Sequence, residues 1–260
     1  MSIFQRRTLY IHLTLLMFFG VPDAYSCEAD KDAPYPPLIV DGGLLVFEST
    51  PVLEDEGKPN PEMGLGISFL DCNTSIKKFV ARLPYVADPG RVKDAFVGNR
   101  GDDHEDVFVI HSAPIRAFTG VSYGSEYFSV IAFHKVAGGY ALDSRITAFF
   151  GSGADVVLRG EDSDKPLYTY PYKSRSDVIA KLASEKYLKW LQGRPVKLEV
   201  IRKTYLYSSM AIAYKTKMYL IKGDRVGQEA VSAGWNYIVY KNAKGKEIKG
   251  WVLCEDVDGC

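Results

Sequence analysis

Apolar and polar positions alternate with a period of two along much of the first part of the chain, which is the spacing of β-strands. The runs are rich in aromatic and β-branched residues and are bounded by Gly, Asp, Asn or Pro. They read GISFLDC, KKFVARLPYV, DVFVIHS, EYFSVIAFHKV and YALDSRITAFF. Over residues 127–134 both alternating faces are largely apolar, as in a central strand. The pattern predicts an antiparallel β-rich structure over residues 38–158, within an N-terminal domain of residues 27–172.

A helical period replaces the strand period in residues 173–195. Ser174 or Ser176 can cap the first turn, and Gly193 and Pro195 can end the helix. The stripe at helical spacing consists of Ile179, Leu182, Ala183, Tyr187, Trp190 and Leu191. We expect one amphipathic helix that connects two domains and packs on its own domain or at their junction; a partner-binding helix is the alternative.

The strand period returns over residues 196–260, where KLEVI, TYLYS, MYLIKGDRV and WNYIVYKNAKGKEIKGWVL follow one another. NAKGK is a hairpin turn in which Gly245 suits a positive φ. With the Gly223-Asp224 turn and the pairs Gly234-Trp235 and Gly250-Trp251, residues 197–257 resemble the bacterial SH3-like family. The resemblance implies a non-catalytic barrel of five or six strands that binds peptide, protein or cell-wall glycopeptide.

The region before this module carries a second resemblance. TYPYKSRSDVIAKL and the β-rich segment preceding it are similar to exported bacterial proteins that end in an SH3-like module. Some proteins of that build act in the periplasm as antagonists of toxins delivered by competing cells. The fold class expected from both resemblances and the periodicity is mainly β with a minor α component: a β-rich domain, a linking helix and a small barrel.

Aromatic side chains of a small barrel can form a groove for an extended ligand. The C-terminal region is rich in tyrosine, and we select Tyr205, Tyr207, Tyr214 and Tyr237 as candidate binding residues. About half of the aromatic side chains in such a module must face its core. Trp235 and Trp251 are therefore expected to be structural.

The N-terminal segment has the pattern of a secretory signal. Arg6 and Arg7 precede the apolar run LYIHLTLLMFFGV, and small residues follow at Ala24 and Ser26. We expect residues 1–26 to be removed and the mature chain to begin at Cys27, in the periplasm or outside the cell. The alternative is a lipoprotein acylated on Cys27. No later apolar run approaches the ~20 residues that a membrane helix requires.

Charge and cysteine content narrow the functional class. Lys and Arg number 32, as do Asp and Glu, so the formal net charge is zero. A neutral chain argues against a nucleic-acid partner, which favours a basic face.

Four cysteines in an oxidising compartment allow three disulfide connectivities. Separation along the chain favours two pairs, Cys27–Cys72 and Cys254–Cys260.

Two motifs suggest catalysis or metal binding. Gly120-Val-Ser122-Tyr-Gly124 matches the G-x-S-x-G nucleophile elbow, which needs a helix directly after the serine. A strong strand signal follows instead, so we interpret Ser122 as a turn residue.

GDDHEDVFVIH, residues 101–111, brings acids and histidines together but lacks the ligand order of a zinc or calcium site. We interpret it as a solvated acidic loop entering a strand at Val107; weak divalent binding stays open.

The sequence thus predicts no catalytic residue, metal or cofactor. The leading hypothesis is an exported, non-enzymatic protein that binds a protein partner, in its most specific form an immunity protein against a secreted toxin. Peptidoglycan binding through the SH3-like module is the alternative. A hydrolase that uses Ser122 or an acidic site of the first domain ranks third.

Overall fold

The computed structural model describes residues 27, 30–53, 59–101, 105–115, 122–158 and 165–259. The predicted signal segment, residues 1–26, lies outside these ranges, as do Gly120, Asp102, Asp103 and His104. Within them the chain is mainly β, with sixteen strands in three antiparallel sheets and three short α-helices. None of the helices in the described ranges has the length and hydropathy of a membrane span.

The first sheet has four strands that pair in chain order. They are β1 (Leu38–Val40), β2 (Gly43–Leu53), β3 (Pro59–Asp71) and β4 (Lys77–Arg82). Gly42 takes a positive φ of 84° at the turn between β1 and β2, where an L-residue would be strained. A Cys27–Cys72 disulfide, as predicted, ties the lead-in segment to the end of this sheet. Cys254 is also disulfide-bonded; Cys260, its predicted partner, lies outside the described residues.

The second sheet has the order β10-β9-β7-β6-β5, and β8 pairs with β7. Its strands are β5 (Arg91–Asn99), β6 (Glu105–Pro114), β7 (Ser122–Val136), β8 (Gly139–Leu142), β9 (Ser152–Leu158) and β10 (Lys165–Tyr168). The interpretation of residues 127–134 as a central strand is confirmed, because β7 pairs with β6 on one side and with β8 and β9 on the other.

The run YALDSRITAFF does not form one strand. Its first part lies in β8, and α1 (Ser144–Phe150) follows. The Asp143 side chain accepts a hydrogen bond from the backbone N–H of Ile146 and caps the helix. Gly151, with a φ of 58°, ends it. Local capping therefore overrides the strand-like apolar content of the run.

The second sheet is buried on both faces. Along β6, Val107 and Val109 pack into a core shared with the first sheet. The alternate residues Phe108 and Ile110 pack into a second core with the helices and with part of the C-terminal sheet. A strand with two apolar faces is what a middle layer requires.

The predicted helix of residues 173–195 is two helices, α2 (Arg175–Leu182) and α3 (Glu185–Leu191). Ser174 and Asp177 form a capping box at the start of α2. Ser184 interrupts the helix and caps α3 by accepting a hydrogen bond from the backbone N–H of Tyr187. Ile179, expected in the buried stripe, is 46% exposed, because the buried face of α2 is formed by Val178, Lys181 and Leu182.

The third sheet has six strands in the order β11-β14-β15-β16-β12-β13, so β11 and β13 end it. The strands are β11 (Val196–Glu199), β12 (Thr204–Tyr207), β13 (Lys215–Leu220), β14 (Arg225–Ser232), β15 (Trp235–Lys241) and β16 (Glu247–Leu253). Leu206, Ile238 and Val252 face the sheet's own core. The alternate residues, Tyr207 and Trp235 among them, face the second sheet.

Specific contacts fix the third sheet against the second. The Tyr168 hydroxyl donates a hydrogen bond to the carbonyl oxygen of Ala233. The Tyr168 and Trp235 rings stack with their centroids 5.5 Å apart. The Ser232 hydroxyl donates to the carbonyl oxygen of Ala148 at 2.7 Å. The C-terminal module and the N-terminal region therefore share one apolar core at their junction.

Candidate functional site

Ser122 is the first residue of β7 and pairs with Val157 of β9. The interpretation of Ser122 as a turn residue is therefore corrected to a strand position. A nucleophile elbow needs a helix N-terminus directly behind the serine. The strand that begins at Ser122 runs to Val136, so within the described residues no helix directly follows the serine.

The acidic motif near residue 105 does not end in a solvated loop. Asp106 is only 1% exposed and lies in β6. The Arg100 guanidinium is 3.4 Å from the carboxylate of Asp106 and 3.4 Å from that of Asp143. One partly buried cation thus holds two carboxylates in a structural ion-pair network. The interpretation of this stretch as a solvated acidic loop that enters a strand at Val107 is therefore wrong for Asp106.

The described ranges contain two histidines, His111 and His134. His111 is buried, its Nε2 is 2.9 Å from the carbonyl oxygen of Pro89, and burial lowers its pKa, which keeps the ring neutral. Within the described ranges no group of three or more His, Cys, Asp or Glu side chains is placed to hold a metal ion.

The four candidate tyrosines do not converge on one groove. Tyr207 is 8% exposed and packs edge-to-face on Trp235 at 5.1 Å, so it belongs to the core. Tyr237 is partly buried beside Trp251, with ring centroids 5.2 Å apart. Tyr205 is partly buried and Tyr214 is exposed. Three of the four, Tyr205, Tyr214 and Tyr237, therefore lie at or next to an accessible surface.

Tyr205 belongs to a cationic and aromatic surface on β12 and β13, which we call the lysine–tyrosine surface. Four members are joined by ring contacts: Lys203, which directly precedes β12, and Tyr205, Lys215 and Tyr219. The fifth is Lys217, an exposed residue of β13. The Lys215 ammonium lies 3.6 Å from the ring centroid of Tyr205. The Lys203 ammonium lies 4.3 Å from that of Tyr219 and 5.5 Å from that of Tyr205. Such cation–π contacts hold each ammonium against a ring while the group stays accessible to a ligand.

The lysines of this region have no acidic partners in the part of the chain that the structure describes. Lys203, Lys215, Lys217 and Lys222 are exposed, and none forms an ion pair with a residue that the structure describes. Residues 201–223 contain five basic residues and no acidic one. Since the whole chain is neutral, this segment concentrates positive charge that is balanced elsewhere.

A groove between α3 and the third sheet provides the contrast. It has a volume of about 610 Å³ and is also lined by cations. Three of its four lining cations have an ion-pair partner among the described residues. Lys186, for example, lies 3.1 Å from Asp258. Likewise Lys241 lies 3.1 Å from Glu247. Unpaired charge thus marks the lysine–tyrosine surface rather than this groove.

Exposed large apolar side chains are frequent in the same stretch of the chain, residues 210–221. Five of them, between 43 and 58% exposed, are Met210, Tyr214, Met218, Tyr219 and Ile221. Beside them lies a cavity of about 420 Å³ at the junction of the second and third sheets. Its lining includes Tyr123, Tyr127, Tyr168, Met210, Ile212 and Trp235.

Sequence reasoning selected Tyr205 and Tyr214 but missed the lysines and Met218. The signal that could have found them is the absence of acidic residues from residues 201–223, where KTKMY brings two lysines, a methionine and a tyrosine together.

No protein-family model, curated protein or solved structure matches the chain. What the protein does is therefore inferred from these surfaces.

Proposed function

We propose that the protein is an exported, non-enzymatic binding protein that engages a protein partner, most specifically as an immunity protein that inhibits a secreted antibacterial toxin. The observation that carries the proposal is the group of exposed apolar side chains at residues 210–221. A contiguous apolar patch on a protein surface marks an interaction site more often than isolated apolar residues do.

The composition of the patch supports a protein partner. Tyr and Met are enriched at protein interfaces because they give large contact areas, and Met also adapts its shape. The patch includes Tyr214, Met218 and Tyr219. The hydrogen bond from Tyr168 to Ala233 and the stacking on Trp235 hold the supporting sheet in place. A preorganised surface loses less conformational entropy on binding.

Binding is also better supported than hydrolysis. Ser122 begins a strand that pairs with β9, and its neighbour Tyr123 pairs with Val156. An attacking serine requires a base and an oxyanion hole as well as an exposed hydroxyl. The position of Ser122 in a strand pair, next to an irregularity of the ladder between Tyr123 and Tyr127, supports a structural role.

The test is affinity capture with residues 27–260, using extracts and culture fluid of competing bacteria, followed by an inhibition assay on each captured protein. Met218→Asp places a carboxylate in the patch, and we expect it to weaken capture about tenfold or more. Ile39→Asp is the matched control, because Ile39 is 78% exposed on the first sheet, away from the patch. Equal loss of capture in both variants, or captured proteins whose activity is unaffected, would contradict the proposal.

Peptidoglycan binding is the second candidate. The observation that favours it is the partly buried Tyr237–Trp251 pair, because aromatic rings stack on sugars. Sedimentation with purified sacculi separates the two functions. Strong retention that Tyr237→Ala abolishes would favour the cell wall, whereas no retention favours a protein partner.

A further inference from the structure

The backbone of β13 projects part of the lysine–tyrosine surface outward. Tyr205 pairs with Tyr219 and Tyr207 pairs with Lys215, so three residues of β13, 216–218, oppose the single residue Leu206. A bulge of this kind pushes its extra residues away from the ladder. Lys217 and Met218 are both exposed there. The strand also ends the sheet, so a ligand can approach it from the face and from the edge.

The charge of this surface is uncompensated. Lys203, Lys215 and Lys217 have no ion-pair partner among the described residues, and residues 201–223 contain no acid. Unpaired like charges close together repel one another, and an anionic ligand removes that repulsion. The chemistry that this surface complements is therefore a row of negative charges.

Apolar side chains lie beside these charges. Met218 and Tyr219 are exposed on the same strand, and Ile221 follows them. A ligand that fits both features carries carboxylates and apolar side chains on one extended backbone.

We infer that the lysine–tyrosine surface binds an acidic, extended segment of the protein partner, with carboxylates at Lys203, Lys215 and Lys217 and apolar side chains at Met218 and Tyr219. The inference rests on the proposed function, since it presumes a protein partner. Nucleic acid, the other anionic polymer, is disfavoured because bases bind by stacking on free aromatic faces. Lysine ammonium groups already lie over the rings of Tyr205 and Tyr219.

The probe is a fluorescent acetylated peptide, Glu-Val-Glu-Phe-Glu-Val-Glu, titrated with residues 27–260 and followed by anisotropy. Its lysine counterpart, with Lys in place of every Glu, and an oligothymidine strand are the competing ligands. We expect the acidic peptide to bind and the lysine peptide not to bind. Because salt screens exposed charges, raising the salt concentration should weaken binding of the acidic peptide.

The variant Lys203→Glu with Lys217→Glu reverses two charges of the surface, and we expect about tenfold weaker binding of the acidic peptide. The matched control is Lys244→Glu with Lys246→Glu, at the tip of the β15–β16 hairpin. These two lysines are also exposed and without ion pairs in the described ranges. The control makes the same change in net charge, and we expect less than about a twofold effect.

A neutral variant, Lys203→Met with Lys217→Met, removes the two charges without introducing repulsion. It tests whether weaker binding in the charge-reversal variant comes from lost charge or from misfolding. We expect about threefold weaker binding with unchanged thermal unfolding. No binding of the acidic peptide, equal weakening by both charge reversals, or oligothymidine binding as tight as peptide binding would each overturn the inference. If a captured partner is lost with Met218→Asp but kept with the Lys203 and Lys217 reversals, the inference is wrong while the proposed function stands.

Discussion

Lys181 is a buried lysine of α2, and replacing it with Met should change how stability depends on pH. Its ammonium donates a hydrogen bond to the carbonyl oxygen of Gly259 at 2.9 Å and lies 5.7 Å from the ring centroid of Phe149. Burial, with a smaller effect of the Lys186 charge, lowers the pKa of Lys181 to about 8 from 10.5. Met keeps much of the length and apolar contact of the side chain while removing the charge.

The sign of the pH effect on stability follows from how many protons the folded and unfolded states bind. Between pH 8 and 10.5 the unfolded chain holds the Lys181 proton more tightly than the folded protein does. The free energy of unfolding therefore rises with pH across this window, and the contribution is lost as pH falls through the folded pKa. The pKa difference corresponds to about 3 kcal/mol over the whole window, of which about 2 kcal/mol is reached by about pH 9.5.

Urea unfolding of the wild type and of Lys181→Met at about pH 7 and about pH 9.5 measures this contribution. We expect the wild type to gain about 2 kcal/mol relative to the variant between the two conditions. Burial raises the pKa of Tyr168, Tyr170 and Tyr172, so ionisation of these tyrosines opposes folding at still higher pH, but it does so in both proteins.

Lys244→Met is the control, because Lys244 is exposed in the hairpin turn. Its difference from the wild type should not change with pH. Parallel pH profiles for the wild type and Lys181→Met would refute the reasoning, as would a variant that gains more stability than the wild type at high pH.

Tyr168→Phe leaves the carbonyl oxygen of Ala233 without its donor at the junction, and should lower the free energy of unfolding by about 1–2 kcal/mol in urea. Gly223→Val should cost about 2 kcal/mol in the same assay, because Gly223 has a φ of 92° that a β-branched residue cannot adopt without strain. Ser122→Ala should shift stability by about 0.5 kcal/mol or less, with no change in hydrolysis of generic ester, peptide or glycan substrates.

Each of these substitutions has its own control or contrary result. Tyr123→Phe, at an exposed tyrosine, should be neutral, and an equal loss there would remove the hydrogen bond as the cause. Gly227→Ala should be tolerated, since Gly227 has no positive φ and open space at its Cβ position. If purified protein hydrolyses a substrate and Ser122→Ala abolishes the reaction, Ser122 is a nucleophile and the binding proposal is wrong.

Local patterns determined much of the secondary structure. The strand of residues 127–134 follows from its two apolar faces, and it is central, as predicted. Gly223 and Gly245 both have positive φ at turns marked by their neighbours in sequence. Such features depend on residues close in sequence, whose conformational preferences and chemistry are readable without the fold.

Only the tertiary structure decided which faces meet. Periodicity marked Tyr207 as an aromatic residue of a strand, but only the packing of the third sheet on the second places it against Trp235 in the core. The lysine–tyrosine surface depends in the same way on the pairing of β12 with β13, which brings Lys203 to Tyr219 across sixteen residues of sequence. The period of two shows on which face of its own strand each side chain lies. Which residues that side chain contacts is set by long-range strand pairing and burial. The sequence therefore determined the strands and turns, and the tertiary structure decided which of their aromatic and cationic side chains became core and which became surface.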